Sequence, residues 1–332
     1  GERGRALGIN VTAVYLGLSL GPFLGGVLTQ YLGWRSIFLV NVPLGLGVVL
    51  MTLRKLKGEW VEAAGERFDL TGSVIYAFAL VSAVHGLTSL PSAAGAAYLI
   101  LGVVGILAFG WVELKSKSPV LNVRLFRENR VFALSNLAAL INYGATFAVS
   151  FVLTLYLQTV KGLSPLNAGL VLAAQPAVQA ALSSWAGKLS DRIEAQVVAS
   201  IGMGITATGL FLLAFTIGYD TSLHLIVAIL ALLGLGFAFF SSPNTNAIMS
   251  SVEKRYYGVA SGMVGTMRSI GMMTSMAIAM TALSIFIGRV QVTPEVYPSF
   301  LRAVTAILSV FVLLCVIGVF ASLARGKVRR DS

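Results

Sequence analysis

The sequence has few charged residues and only one cysteine. Asp, Glu, Lys and Arg make up 11% of its 332 residues, whereas a soluble domain carries about 25%. Because 57% of the residues are hydrophobic, this composition excludes the several soluble domains that the length alone would suggest. The single cysteine, Cys315, excludes an internal disulfide. No apolar core follows a basic start, so no signal peptide is expected.

Acidic residues are scarce as well, since 13 Asp and Glu stand against 24 Lys and Arg, for a net charge of +11. A basic balance can indicate nucleic-acid binding, but the positions of the charges argue against it. If the loops alternate between two sides, starting with residues 1–8, most basic residues fall on one side. The other side holds only Arg35, Lys161, Arg289 and Arg302. This bias predicts that the first side and the C-terminus are cytoplasmic. We expect contacts with membrane lipids and none with nucleic acid.

What the sequence does contain is a series of long apolar runs. Each is close to the roughly 20 residues that a transmembrane helix needs, and none alternates between apolar and polar residues as a barrel strand would. The runs predict an all-α protein of the cell (inner or cytoplasmic) membrane with about ten transmembrane helices. The predicted spans are residues 11–31, 36–53, 71–90, 97–114, 131–160, 165–187, 197–218, 223–243, 257–288 and 300–324.

Two polar segments, residues 54–69 and 115–130, divide these spans into groups. The start of the first span also matches the start of the ninth in its glycine spacing, as in transporters built from two related halves. The predicted organisation is residues 1–53 as the last two helices of an N-terminal bundle, 54–130 as a linker with an extra two-helix insertion, and 131–332 as a C-terminal six-helix bundle. On this interpretation, four helices of the first half would precede residue 1.

Several segments carry a resemblance to a known family. They are GERGRALG at 1–8, GLSLGPFLGG at 17–26, YLGWRSIFLVNVPLG at 31–45, FDLTGSVI at 68–75, AGKLSDR at 186–192 and the run at 242–271. Together they resemble the major facilitator superfamily and are most similar to its fourteen-span drug:proton antiporters of the EmrB/QacA type. The resemblance covers nearly the whole chain. It implies a helix bundle of the major facilitator type that lacks the family's first four helices.

The glycine-rich segment at 17–26 is the most specific of these matches. Three of its glycines are spaced four residues apart and share one helix face, where small residues let another backbone approach closely. Its proline lacks an N–H and bends the helix. The resemblance implies an antiporter signature that packs the two halves together and gates the outward side; close packing without gating is the alternative. The predicted gating residues are Gly17, Gly21, Pro22, Gly25 and Gly26.

A second expected site lies in the short loop predicted at 187–192. A carboxylate there can cap the following helix, and an arginine can bind helix-end carbonyls. The resemblance implies a cytoplasmic loop motif, made of Gly187, Asp191 and Arg192, that acts as a latch between the halves. The alternative is a solvated loop that only anchors the chain on the cytoplasmic side.

Polar residues inside the apolar spans are candidates for the wall of a substrate cavity. A stripe of them recurs every four residues on the fifth span, and two glutamines flank Pro176 on the sixth. Arg268 is the only charge deep in a span, a position that usually marks a pathway or a paired partner. Hydrogen bonding between helices and snorkelling of the arginine are the alternatives. The candidates are Asn142, Thr146, Ser150, Gln175, Gln179 and Arg268.

Most of the nine methionines lie in the ninth span, at 263, 267, 272, 273, 276 and 280. Methionine is flexible and polarizable, so such a cluster suits the binding of varied apolar ligands. Ordinary packing or lipid contact is the alternative.

No group of residues indicates catalysis, because the sequence has no metal-ligand cluster, nucleotide-binding loop or catalytic triad, and His85 stands alone in its span. We expect no enzyme activity, no metal and no cofactor. The predicted function is export of drugs or other amphipathic small molecules by alternating access, driven by protons. No acid lies deep in the spans, so proton coupling is expected to depend on a missing N-terminal helix segment. The alternatives are export of a specific metabolite or lipid, a polytopic membrane enzyme, and a truncated, non-transporting membrane protein.

Overall fold

The computed structural model describes residues 17, 21, 24–55, 69–116, 124–253, 256–288 and 292–326, with the backbone alone at residue 191. Every regular element in these residues is a helix. The helices are α1 (24–32), α2 (Ser36–Lys55), α3 (Leu70–Thr88), α4 (Ala93–Glu113), α5 (Arg124–Glu128), α6 (Arg130–Leu155), α7 (Pro165–Leu172), α8 (Ala174–Arg192), α9 (Ala195–Thr216), α10 (Leu223–Ser250), α11 (Tyr257–Ile287) and α12 (Tyr297–Leu323). A π-helical turn, Tyr156–Val160, extends α6, and a 3₁₀ turn, Pro294–Val296, precedes α12.

Eight of these helices are long and apolar enough to cross a membrane, counting only the described residues. They are α2, α3, α4, α6 with its π turn, α9, α10, α11 and α12 with its 3₁₀ turn. The prediction of an all-α membrane protein is confirmed. The predicted number of about ten spans differs from the eight found among the described residues because of two predicted spans. The predicted span at 11–31 is described only in part, and the predicted span at 165–187 is not one helix.

The predicted span at 165–187 is divided into α7 and α8 by Pro176. A proline has no N–H to donate to the carbonyl four residues before it. The carbonyl of Leu172 therefore loses its usual partner, and α7 ends at that residue. The helix α8 that follows is rich in Gln and Ser and ends in charged residues, so it does not qualify as a span by itself.

Helices α6, α9, α10, α11 and α12 enclose the main apolar core. Its fully buried side chains include Tyr156 on the π turn, Leu210 on α9 and Phe300 on α12. The outer faces of the same helices expose large apolar side chains, among them Phe215 and Phe320. Such a surface is expected where lipid surrounds the helices, because hydrocarbon tails are as apolar as the side chains they meet.

Helices α3 and α4 form an antiparallel hairpin that lies against α11. The Asp69 carboxylate caps α3 by accepting a hydrogen bond from the Gly72 N–H at 2.7 Å, and Ser92 caps α4 in the same way. At the crossing of the two helices, a Cβ on Gly86 would fall 2.6 Å from the Cα of Leu99. Only glycine allows the helices to approach this closely.

Candidate functional site

Helix α11 has two different faces. One face packs tightly on α6, where a Cβ on Gly271 would fall 2.6 Å from the carbonyl oxygen of Leu140. One turn further on, the Ser275 hydroxyl accepts a hydrogen bond from the Ala148 N–H at 3.0 Å. The other face looks across an open space toward α3. Helix α11 is therefore fixed by α6 while it forms one wall of a groove.

The first chamber of this groove lies between α3 and α11 and has a volume of about 720 Å³. Its lining is apolar on the α3 side apart from His85 and Thr88, and α11 contributes glycines, hydroxyls and Met273. The Tyr76 hydroxyl donates a hydrogen bond to Thr266 Oγ1 at 3.1 Å, which joins the hairpin to the bundle beside this chamber. The Tyr76 ring also packs on Phe109, with ring centroids 4.8 Å apart.

The second chamber has a volume of about 610 Å³ and lies between α11 and the outer face of α6. Its wall is almost entirely apolar, with two phenylalanines from α6 and four methionines from α11. They are Phe147, Phe151, Met272, Met273, Met276 and Met280. The two chambers share the lining residues Thr88, Ser269 and Met273, so they lie side by side. We call the two chambers together the α3–α11 groove.

The chemistry of the α3–α11 groove suits an amphipathic small molecule. Ligand pockets typically enclose 300–1,000 Å³ and combine an apolar wall with a few polar groups that fix orientation. Here the hydroxyls of Thr88, Thr266 and Ser269 and the imidazole of His85 are the polar groups. The methionine and phenylalanine side chains can adapt to ligands of different shape. The His85 ring meets Tyr98 edge-on, with centroids 4.8 Å apart, which fixes its position on the hairpin.

The structure separates the methionines of α11 into two groups. Those at 272, 273, 276 and 280 line the α3–α11 groove. Met263 and Met267 lie at the other end of the helix, in a small apolar cluster with Phe132 and Ile248. Sequence spacing alone did not distinguish these groups, because α11 is apolar around most of its circumference.

Arg268 is exposed on α11, beside Ser269 of the α3–α11 groove. The sequence places this arginine deep in the span predicted at 257–288. A cation at such depth is costly to leave in hydrocarbon and usually faces a partner or a water-filled space. Arg268 stays a candidate for contact with substrate.

The predicted polar stripe on α6 does not face the α3–α11 groove along its length. Asn142 and Thr146 are buried in the bundle, and the Thr146 hydroxyl donates to the Asn142 carbonyl at 2.6 Å. Ser150, one turn further on, is exposed. In α8, Gln179 is buried and Gln175 is half-buried, with its carbonyl packed against Gly234 of α10. Asn142, Thr146 and Gln179 are thus enclosed by neighbouring helices in this conformation, whereas Ser150 is not.

The predicted gate shows one close contact in the part of the chain that is described. A Cβ on Gly26 would fall 2.7 Å from the Pro165 carbonyl oxygen, so α1 and the start of α7 touch through their backbones. Gln30 extends the contact, since its Oε1 accepts a hydrogen bond from the Leu166 N–H at 3.3 Å. A Cβ on Gly17, Gly21 or Gly25 would meet nothing within 4 Å. Pro22 lies outside the described residues.

The predicted cytoplasmic loop motif is helical, because α8 continues through Arg192. The expected loop at 187–192 is therefore wrong. A Cβ on Gly187 would fall 2.9 Å from Ser242 Oγ of α10, and the Ser190 hydroxyl accepts a hydrogen bond from Asn246 Nδ2 at 3.2 Å. The end of α8 thus packs on the end of α10. The side chain of Asp191 lies outside the described part of the chain.

Asp69 lies just before α3, outside the membrane-spanning segment. The Gly72 N–H and the Ser116 hydroxyl both donate to its carboxylate, at 2.7 and 2.9 Å. These hydrogen bonds, the Gly72 bond first, hold the pKa of Asp69 below its ordinary value of 3.8. Among the described residues, no cluster of His, Cys, Asp and Glu has the arrangement of a metal site.

The family of the chain follows from comparing its sequence with known proteins. The family model described as Major Facilitator Superfamily matches residues 1–276 of the chain. The chain belongs to the major facilitator superfamily. Major facilitator proteins are transporters rather than enzymes, and the spans found here agree with a multi-pass membrane transporter built as an all-α bundle of this type.

Among its relatives, this major facilitator chain is similar to the riboflavin transporter RibZ of Clostridioides difficile (strain 630), with 30% identity over 275 residues, 81% of the chain and 58% of RibZ. It is 33% identical over 275 residues to the multidrug resistance protein Stp of Mycobacterium tuberculosis (strain ATCC 25618 / H37Rv), covering 81% of the chain and 50% of Stp. It is 32% identical over 288 residues to the uncharacterized transporter YebQ of Escherichia coli (strain K12), and the match covers 85% of the chain and 62% of YebQ. The chain therefore spans about half to three fifths of the length of these relatives.

Proposed function

We propose that this major facilitator chain belongs to an exporter of drugs or other amphipathic small molecules that works by alternating access and is driven by protons. The observation that carries the proposal is the α3–α11 groove, where a methionine and phenylalanine wall meets a few hydroxyls. An amphipathic ligand needs such a wall for its apolar part and such hydroxyls for its polar part. The name of Stp, a multidrug resistance protein, supports the same reading.

The proposal extends to the organisation of the chain. We place it in the fourteen-span antiporter group, with residues 1–53 closing an N-terminal bundle, 54–130 holding the extra hairpin and 131–332 forming the C-terminal bundle. The α3–α4 hairpin lies against α11 but contributes no residue to the main core, which supports this division. The bias of basic residues supports a cytoplasmic C-terminus, and the bacterial relatives support the cell membrane. The missing N-terminal helix segment of this group would complete the first half.

Within this scheme, the residues at 17–26 act as the gate on the outward side, and Gly187, Asp191 and Arg192 act on the cytoplasmic side. The contact between Gly26 and the start of α7 supports the first role, because a gate must bring the two halves together. The contact between α8 and α10 near Ser190 supports the second. Arg268, beside the α3–α11 groove, is the candidate for a polar or anionic part of the substrate.

Proton coupling needs an acid that loads and releases a proton inside the membrane. The acids in the described residues lie near helix ends, as Asp69, Glu113 and Glu253 illustrate. We therefore assign the proton-carrying acid to residues outside the described part, in the N-terminal half of the transporter.

The test is transport of ethidium, a planar amphipathic cation, by the full-length natural protein in proteoliposomes with an imposed pH gradient. The proposal expects ethidium movement that follows the gradient and stops when an uncoupler dissipates it. Movement without a gradient, or none for a panel of amphipathic dyes, would contradict it.

A specific metabolite is the second candidate, and the similarity to RibZ favours a flavin. Riboflavin also has a planar ring system and a polar chain, so it could use the same wall and hydroxyls. The same proteoliposomes loaded with riboflavin distinguish the two cases. Transport of riboflavin that ethidium does not inhibit would favour the specific transporter.

A further inference from the structure

Arg325, two residues beyond α12, is the largest fully buried side chain that the structure describes, at 1% exposure. Its guanidinium donates three hydrogen bonds. Nη1 reaches Asn244 Oδ1 of α10 at 2.6 Å and Ser135 Oγ of α6 at 3.2 Å, and Nη2 reaches Ser322 Oγ at 2.5 Å. Ser322 in turn bonds with Ser200 of α9, with 2.6 Å between the hydroxyls. Arg325 thus links α6, α10 and α12 directly, and it reaches α9 through Ser322.

Within the described part of the chain, none of the groups that accept from Arg325 is a carboxylate. Burying a cation without an anion is unfavourable, because the charge loses its hydration and gains no opposite charge. Burial lowers the pKa of Arg325 to about 10, so the group is still charged at neutral pH. Hydrogen bonds from a charged donor are short and directional even to neutral acceptors. The contact therefore holds Arg325 through hydrogen-bond geometry rather than through an ion pair among the described groups.

The main acceptor, Asn244, follows a weak point in α10. Pro243 lies inside this helix and has no N–H, so the carbonyl of Phe239 lacks its usual helical partner. Beyond Pro243, α10 contacts its neighbours through both polar and apolar groups. The polar contacts include Arg325 with Asn244, Asn244 Nδ2 with the Ser135 carbonyl at 3.2 Å, Asn246 Nδ2 with Ser190 at 3.2 Å, and Asn129 Nδ2 with the Ser251 carbonyl at 2.6 Å. Ile248 packs with Phe132 in a small apolar cluster.

We propose that Arg325 is a positioning residue that clasps the segment of α10 after Pro243 to α6 and α12, and that this segment moves about Pro243 when the clasp opens. The clasp keeps the C-terminal part of α10 in a single position, next to the C-terminal end of α8. A proline inside a helix leaves one carbonyl without its helical partner, and such points supply hinge positions that a transporter needs to change its conformation. The proposal does not depend on which substrate is carried.

The test is hydrogen–deuterium exchange of the full chain in lipid nanodiscs, comparing wild type with Arg325→Met. Methionine keeps the apolar stem and removes all three hydrogen bonds. The proposal expects roughly tenfold faster exchange in peptides covering residues 243–251, from the loss of charge-assisted hydrogen bonds at this point. Arg302→Met is the matched control, because Arg302 is an exposed arginine at the opposite end of α12. It should leave these peptides unchanged.

Two further variants separate positioning from general stability. Arg325→Lys keeps the charge but not the fork geometry, so it should restore part of the protection. Asn244→Ala removes the acceptor on α10 and should reproduce the local effect even if Arg325→Met fails to fold. Unchanged exchange at 243–251 in both Arg325→Met and Asn244→Ala would overturn the proposal. Equal acceleration across all helices of the bundle would also overturn it, because that result indicates a structural role only.

Discussion

The substitution Gly271→Ala tests the packing that holds α11 beside the α3–α11 groove. The added Cβ would lie 2.6 Å from the Leu140 carbonyl oxygen, 2.9 Å from Tyr143 Cβ and 3.1 Å from the Gly144 nitrogen. Carbon atoms in ordinary contact lie about 3.5–4.0 Å from their neighbours. Backbone atoms account for two of the three contacts, so a rotamer change cannot relieve them. Helices α6 and α11 must therefore separate by roughly 1 Å.

Overpacking of this kind costs about 1–3 kcal/mol. The separation also lengthens the bond from the Ala148 N–H to Ser275 Oγ, now 3.0 Å, which is worth about 1 kcal/mol. The matched control is Gly265→Ala on the same helix, where a Cβ meets nothing within 4 Å. Alanine is the better helix former by about 0.5–1 kcal/mol. The two substitutions should thus change the free energy of unfolding in opposite directions.

The single cysteine of the chain can report unfolding in this experiment. Cys315 is the only cysteine and is fully buried in the main core. A maleimide dye that fluoresces on reaction with a thiol reads unfolding directly during a temperature ramp in detergent. Gly271→Ala should unfold below wild type, and Gly265→Ala at or above it. If Gly271→Ala unfolds at the same temperature as Gly265→Ala or higher, the reasoning about this interface is refuted.

Three other predictions concern the gate, the groove and the cap of α3. Gly26→Ala should reduce transport by the full-length protein, because its Cβ would meet the Pro165 carbonyl at 2.7 Å, whereas Gly47→Ala on α2, where a Cβ meets no described atom within 4 Å, should not. Met273→Ala should weaken ethidium binding more than Met267→Ala, which lies outside the groove, as fluorescence titration would show. Asp69→Ala should lower the unfolding temperature at pH 7. Because the folded pKa of Asp69 is depressed, the stabilisation is present above pH 3.8 and is lost as the pH falls below it, so the difference from wild type should shrink there. Equal effects within either matched pair, or a constant difference with pH, would contradict the corresponding argument.

The fold was largely predictable because long apolar runs and polar breaks report membrane spans directly. The predicted spans at 36–53, 71–90 and 197–218 agree with the bounds of α2, α3 and α9 to within two residues at each end. Pro176 is the exception. A single proline often only kinks a membrane helix, so the sequence does not say whether the two sides count as one span.

The candidate site was less predictable, because it depends on how each helix is rotated. An α11 that is apolar around most of its circumference has no single hydrophobic face for the sequence to reveal. Contact with α6 at Gly271 sets the rotation and turns Met273 and Met276 toward the groove while Met267 packs elsewhere. The role of Arg325 was not predicted from the sequence, for a related reason. Two residues past a span, it has the sequence position of an ordinary anchor, and its burial follows only from the convergence of four helix ends.

We propose above that the α3–α11 groove binds amphipathic small molecules. The most direct measurement is the dissociation constant of ethidium for the purified full chain in nanodiscs, comparing wild type with Ser269→Trp. Ser269 lines both chambers, so an indole at this position takes up space that a ligand would occupy. The account predicts a dissociation constant at least roughly tenfold higher in Ser269→Trp, with unchanged protection of Cys315. Ethidium binding of equal strength in both proteins would contradict it.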